Sequence, residues 1–281
     1  MFKRVMVAVV GLPLLILILG WAPSWATMLL LAAMCAIGAW ELMHAAAGER
    51  GRPLIPLTVI AAALVPVCVY AEVSIENTEL TALPVLPLTA LLGAVLVLAL
   101  FVVSICRYGG ERAVPFAALT TAIFAGLVFP LMLSCMLRLR MVPYIGMLLV
   151  FFPLCISFGS DTFAFFAGLL FGKHKLTPVS PKKTVEGAIG GLIGGLIGMM
   201  IMPFVGGMVI SDAFMSPTMA VAFGSLGSVV SQIGDLSFSV IKREFGVKDY
   251  GNLLPGHGGI LDRFDSVTFV APFVWLLLEL I

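Results

Sequence analysis

Long apolar runs separated by short polar segments dominate the chain. Nine runs reach the roughly 17–25 residues that a membrane-spanning helix needs: 5–22, 26–46, 54–71, 83–106, 113–136, 142–171, 187–210, 218–241 and 264–281. They lack the alternation of barrel strands, and a helix satisfies its own backbone hydrogen bonds in lipid. The predicted fold is therefore all-α: a polytopic integral membrane protein of about nine transmembrane helices. The sixth run is too long for one straight span, and so predicts a tilt, a break or a projection beyond the bilayer.

Composition agrees with the pattern. The 281 residues are 61% hydrophobic and 11% charged, against about 25% charged in a soluble domain, and the mean hydropathy is +1.14. A soluble enzyme, a disordered chain and a secreted disulfide scaffold are excluded. Cys35, Cys68, Cys106, Cys135 and Cys155 show no CxxC spacing and are odd in number, so they read as small apolar packing residues. A net charge of +1 gives no case for a nucleic-acid partner.

The order of the charges sets the topology. With the N-terminus in the cytoplasm, fourteen of the sixteen Lys and Arg residues fall on the cytoplasmic side. They run from Lys3 and Arg4 through Arg50, Arg52, Arg107 and Arg112 to the two polar loops. Only Arg138 and Arg140 fall outside, where Glu72, Glu76 and Glu79 make an acidic segment. The first span, with Lys3-Arg4 before it and Ser24-Trp25-Ala26 after it, also has the look of a cleaved signal. Its removal would leave the other spans oriented as before.

The spans divide into an N-terminal part, 1–140, with about five helices, and a C-terminal part, 141–281. The latter carries the cytoplasmic loops 172–186 and 242–263 and is the expected catalytic region. Glycines at 190, 194 and 198, and at 191 and 195, have the small-xxx-small spacing that lets helices approach closely. They suggest helix packing and self-association.

Charges inside apolar runs are costly and mark candidate sites. Asp161 lies about 11 residues before the sixth span exits, about 16 Å deep at 1.5 Å per residue, and Asp235 lies about 10 Å deep in the eighth. Both stand among Ser and Thr or Gln, and both helices lead into the basic loops. Glu41 and His44, one turn apart near the end of the second span, read as an interfacial polar contact.

In the first loop, Ser180-Pro-Lys182-Lys183-Thr184 precedes the seventh helix, where hydroxyls, ammonium groups and helix N–H groups suit a phosphate. In the second, Lys242, Arg243, Lys248 and Arg263 accompany Asp249, Asp262 and Asp265 around the turn Gly256-His257-Gly258-Gly259. Carboxylates suit Mg²⁺ that keeps waters and substrate phosphates, basic groups neutralise phosphate charge, and glycines allow close backbone approach. The chemistry these residues support is transfer of a phosphate-containing group between a cytosolic nucleotide and a lipid.

The segment Ser239-x-Ile-Lys-Arg-x4-Lys248-Asp249-x-Gly251-x2-Leu254-Pro255-x-His257-Gly-Gly-Ile260-x-Asp262-Arg263-Phe-Asp265 resembles the signature of the phosphatidate cytidylyltransferase (CDP-diacylglycerol synthase) family. Ser160-Asp161-Thr162, Gly172-Lys173 and Ser180-Pro-Lys182-Lys183-Thr184-x-Glu186-Gly187 are also similar to it. The N-terminal half resembles it only in hydropathy. The resemblance implies that CTP and phosphatidic acid give CDP-diacylglycerol and pyrophosphate. The lipid phosphate would attack the α-phosphorus, so no protein nucleophile is required, and no Ser-His-Asp or Cys-His arrangement is evident. It further implies a divalent metal, Mg²⁺ or Mn²⁺, on Asp235 and Asp262, a role for K⁺, and a homodimer. The location it implies is the bacterial plasma (inner) membrane, with the active site facing the cytoplasm.

On this reading Asp235, Asp262, Lys248 and Arg263 are the catalytic group. Ser180, Lys182, Lys183, Thr184, Lys242 and Arg243 bind substrate. Asp161 anchors the metal site or holds Ser180 and Thr184, Asp249 orients Lys248 or His257, and Asp265 orients Arg263. His257 is expected to form hydrogen bonds rather than act as a base, because a phosphatidate oxygen is already ionised near neutral pH. Two other readings compete: a CTP-dependent lipid kinase of the polyprenol or phytol type, which would release CDP, and a transporter with mid-membrane carboxylates. The latter should show internal repeats, and the chain has none evident.

Overall fold

The computed structural model describes residues 2–77, 87–210, 214–251 and 258–280. Among these the chain is helical, with no strand, and an isolated antiparallel bridge joins Lys175 and Thr184. The helices are α1 (Phe2–Gly20), α2 (Ser24–Ala46), the single turn α3 (Gly48–Gly51), α4 (Ile55–Glu76), α5 (Leu88–Cys106), α6 (Phe116–Ile123), α7 (Phe129–Met141), the single turn α8 (Gly146–Leu149), α9 (Phe152–Phe171), α10 (Val185–Val209), α11 (Pro217–Glu244) and α12 (Leu261–Glu279).

Each predicted span meets a helix. Seven helical stretches among the described residues are long and apolar enough to cross a membrane: Ser24–Ala46, Gly48–Glu76, Leu88–Cys106, Phe116–Met141, Gly146–Phe171, Val185–Val209 and Pro217–Glu244. The ninth predicted span falls short of that standard, because α12 carries Asp262, Arg263, Asp265 and Glu279 within 19 residues. The long sixth run breaks between α8 and α9, where Pro153 enters the first turn of α9 and cannot donate a hydrogen bond to the preceding turn. The fifth span widens into a π turn, Phe124–Val128. Pro130, inside α7, would press on the carbonyl four residues back, at Gly126. A π turn relieves that clash.

The chain forms two compact units. The first comprises Met1–Met141 and Phe245–Arg263. In it α2 packs on α4, and α4 on α5 and α7. Gly38 of α2 leaves room for the Phe129 ring and the Leu261 side chain. Helix α5 exposes Leu91, Val95, Leu98, Val102 and Ile105, a stripe at helical spacing that suits lipid tails. The acidic segment foreseen near Glu72 is different in kind. Glu72 is buried, accepts from the Thr89 N–H (2.7 Å) and hydroxyl (2.9 Å), and pairs with Arg138 at 3.2 Å. Arg140 donates to the Gly20 and Ala22 carbonyls at 3.4 and 2.9 Å, closing the end of α1. Glu79 lies outside the described residues.

The second unit comprises Val142–Glu244 and Phe264–Ile281. Its centre is the contact of α10 with α9 and α11. On one face of α10, Gly190 lies against Ala167 and Phe163, Gly194 against the Gly159 carbonyl and Phe163, and Gly198 against the Cys155 carbonyl. On the next, Gly191 meets Gln232 and Ser160, and Gly195 meets Ser228. The glycine spacing that suggested self-association is thus used inside the unit. Phe238 of α11 meets Phe269 of α12 edge to face at 6.2 Å. The five cysteines are free, with Cys35 buried and Cys106 exposed, so packing does not describe Cys106. Helix α10 starts at Thr184, whose hydroxyl accepts from the Gly187 N–H at 3.1 Å, an N-cap bond.

Two predictions follow for the purified protein in detergent. Replacing Gly194 by Ala drives a methyl into the Gly159 carbonyl and Phe163 and should cost about 1–3 kcal/mol. Gly207→Ala, with open space around it, should be neutral or stabilising by up to about 1 kcal/mol. Thermal unfolding checks both. In the same assay Thr184→Val, which keeps the shape and loses the acceptor, should cost about 1 kcal/mol, and Thr184→Ser should stay near wild type.

Candidate active site

In the second unit the loop from Gly172 to Thr184 is folded back on itself. The Leu176 N–H donates to the Lys183 carbonyl at 3.0 Å, Val185 to His174 at 2.9 Å, and Lys183 to Ser180 at 3.0 Å. Glu186, in the first turn of α10, closes the loop's base. It accepts from the Lys173 and His174 N–H groups at 3.1 and 3.3 Å and pairs with His174 Nδ1 at 2.6 Å. On the far side Arg243 Nε donates to the Val179 carbonyl at 3.2 Å. The loop is therefore tied at its base to the start of α10 and near Val179 to α11, which carries Asp235, Lys242 and Arg243.

Its side chains then take distinct places. Lys182 is exposed and Ser180 half-buried. Lys183 is paired with Asp235 of α11, and the Ser239 hydroxyl, one turn on, donates to Asp235 Oδ1 at 3.4 Å. Thr184 is buried and its oxygen is taken by the cap of α10. Asp265 of α12 is also buried, and its Oδ1 accepts from the Ser266 N–H at 2.7 Å. The charges of Asp235, Lys242 and Asp161 all act on Asp265. Four sequence candidates from α9, α11 and α12 are thus gathered in one unit, with Lys183 joined to them through Asp235. Three carboxylates near one another repel, so the site is suited to cations.

In the first unit the segment 245–263 carries the rest. Gly246, at φ +67°, follows the end of α11 and supplies the left-handed residue at which helices commonly stop. Lys248 and Asp249 are exposed. Asp262 Oδ2 accepts from the Tyr250 N–H at 2.9 Å and the Gly259 N–H at 3.0 Å. Asp262 therefore fastens the two stems of its own loop as well as presenting a carboxylate. Arg263 is exposed in the first turn of α12, and its N–H donates to the Ile260 carbonyl at 3.0 Å. His257 lies outside the described residues.

Glu41 corrects the sequence reading. It is 1% exposed and does not partner His44, whose Nδ1 meets the Trp40 carbonyl at 2.9 Å and whose ring lies on Trp40. Its two carboxylate oxygens accept from the Ile260 and Leu261 N–H groups, each at 3.1 Å. The only sequence signal was a carboxylate in an apolar run. Its partner lies more than two hundred residues away, so spacing could not reveal it.

Asp235 in the second unit and Asp262 in the first each offer carboxylate oxygen, the donor type by which Mg²⁺ is commonly held, with one or two carboxylates and with water and phosphate completing the shell. Among the described residues no three His, Cys, Asp or Glu side chains come together to hold an ion.

A phosphatidate cytidylyltransferase of Bacillus subtilis strain 168 is 38% identical over 160 residues, 57% of this chain and 56% of that protein. One of Staphylococcus saprophyticus is 46% identical over 134 residues, 47% of this chain and 50% of that protein. One of Staphylococcus aureus strain COL is 42% identical over 134 residues, with the same shares. The chain thus spans about half the length of the curated relatives it matches. The model of the cytidylyltransferase family, by contrast, matches residues 2–281. With that match running through every helix that carries the charged residues above, the chain belongs to the cytidylyltransferase family.

Proposed function

We propose that this protein transfers the cytidylyl group of CTP to phosphatidic acid, forming CDP-diacylglycerol and pyrophosphate for phospholipid synthesis. The observation that carries the reading is the charge cluster in apolar helices, where Lys183 pairs with Asp235, and Asp235, Asp161 and Lys242 act on Asp265. Such a cluster is costly in a membrane protein without a charged ligand to serve. The relatives' names supply the substrates, and the family match supplies the reaction class.

In the reaction a phosphatidate oxygen forms a bond to the α-phosphorus of CTP. The bond from that phosphorus to the bridging oxygen breaks, and pyrophosphate leaves with the electron pair. Both reacting groups are anions, so the protein's task is to hold them together against repulsion. Lys182, Lys183, Lys242, Arg243, Lys248 and Arg263 supply the positive charge. The tied loop below α10 fixes where Ser180, Lys182 and Lys183 stand, which lowers the entropy lost on binding. Asp235 and Asp262 would hold Mg²⁺ or Mn²⁺, which supplies charge neutralisation at the phosphate oxygens, and K⁺ is a further candidate cofactor. Asp161, Asp249, Asp265 and His257 serve as polar anchors for these groups. The positive charges orient the active site toward the cytoplasm of a bacterial plasma membrane. A homodimer fits the family resemblance, with a surface other than the glycine faces of α10.

The test uses purified protein with phosphatidic acid, Mg²⁺ and CTP labelled at the α-phosphate. Label should enter the lipid, disappear with EDTA, and fall about 100-fold or more in Asp262→Asn. Lipid label from γ-labelled CTP alone would replace this reading with a kinase. Lys183→Gln should lower kcat/KM for CTP about tenfold or more, while Lys175→Gln, outside the motif in the same loop, should leave it unchanged.

A further inference from the structure

Glu41 is a buried carboxylate in the second helix of a chain whose signature residues all lie beyond residue 160. Nothing in the proposed chemistry uses it. Its surroundings are unusual in three respects. It accepts from two consecutive N–H groups, Ile260 and Leu261, that begin α12 and have no partner within the helix. It also fills the space beside Gly251 and Gly259, where a Cβ on either residue would collide with its carboxylate. One turn earlier on α2, Gly38 accommodates the Leu261 side chain. Helix α2 therefore grips Leu261 by both its N–H and its side chain.

The two stems that Glu41 touches are the ones that Asp262 joins. Asp262 Oδ2 binds the Tyr250 and Gly259 N–H groups. Glu41 lies against Gly251 and Gly259 and binds the next two N–H groups, at Ile260 and Leu261. Four backbone donors flanking residues 252–257 are thus divided between two carboxylates. With Glu41 gone, the Asp262 bonds would remain, and the first turn of α12 would lose the two bonds that Glu41 accepts.

We infer that Glu41 is a positioning residue that clasps the base of the signature loop and the start of α12, and so fixes where the Asp262 carboxylate stands. Its role is carried by backbone contacts and calls for none with substrate or metal. The inference rests on the cytidylyl-transfer reading for what Asp262 does, and on geometry alone for what Glu41 does. Glutamate suits the role because both its oxygens can accept. A glutamine has one acceptor and would turn its NH₂ toward an N–H donor. The glycines at 251 and 259 belong to the same device, since only a residue without Cβ leaves room for the carboxylate.

The test compares the full chain with Glu41→Gln, Glu41→Asp and, as a control on the same helix, His44→Ala. Amide hydrogen exchange of the metal-free protein reads the clasp directly. Glu41→Gln should exchange about tenfold or more faster across residues 258–263, with α9, α10 and α11 unchanged. Glu41→Asp, which keeps a carboxylate on a shorter stem, should fall between, and His44→Ala should match wild type. In the transfer assay Glu41→Gln should raise the half-saturating Mg²⁺ concentration about tenfold and leave KM for phosphatidic acid unaltered. Simple loss of folded protein would move neither ratio. Wild-type exchange at 258–263 in Glu41→Gln overturns the inference. So does an unchanged Mg²⁺ requirement, or loss of protection throughout the chain in both Glu41 variants. Local deprotection in Glu41→Gln beside a wild-type protein that transfers no label from CTP would instead overturn the cytidylyl-transfer reading.

Discussion

An ionised group surrounded by apolar atoms must find a partner or raise the energy of the fold by several kcal/mol. Much of this protein's polar architecture answers that constraint. Glu72 is met by Arg138 and Thr89, Arg140 by the carbonyls at the end of α1, and Glu41 by the start of α12. Lys183 is met by Asp235. The first three associations join helices within one unit and are structural. The last lies in the proposed site, where a lysine and a carboxylate that satisfy each other can also turn toward phosphate and cation.

Glycine supplies the complementary device. Helices in lipid gain nothing from burying apolar surface against one another, so they rely on close contact. In the second unit α10 meets carbonyls and small side chains of α9 and α11 through glycine faces. That close contact keeps α9 and α11, the carriers of Asp161 and Asp235, at fixed spacing, and a fixed spacing of charges is what a phosphate site requires. The tied loop between α9 and α10 adds Lys182 and Lys183 to the same rigid base.

The helices were legible because lipid imposes one rule on every span, a long apolar stretch with its own hydrogen bonds. Run ends and helix ends agree within about three residues for α2, α10 and α11. The break before α9 announced itself as excess length. Candidates for the site could be named where chemistry is concentrated in sequence, in the loop at Ser180 and the segment from Lys242 to Asp265. Roles within it were less so. Thr184, read as a substrate ligand, spends its oxygen on a helix cap, and Asp262 spends one oxygen on two backbone donors.

By itself the sequence determined the class of fold and the positions of the helices, and it named the charged residues on which the proposed chemistry rests, because hydropathy and residue type are local properties. Only the tertiary structure decided which polar residues are partners. It separated Glu41 from His44 and joined it to α12. It turned an expected acidic surface at Glu72 into a buried ion pair, and it spent the glycine faces of α10 within the chain. Each of these depends on which atoms meet across large separations in sequence, and a buried charge or a bare backbone only declares its purpose once its neighbour is known.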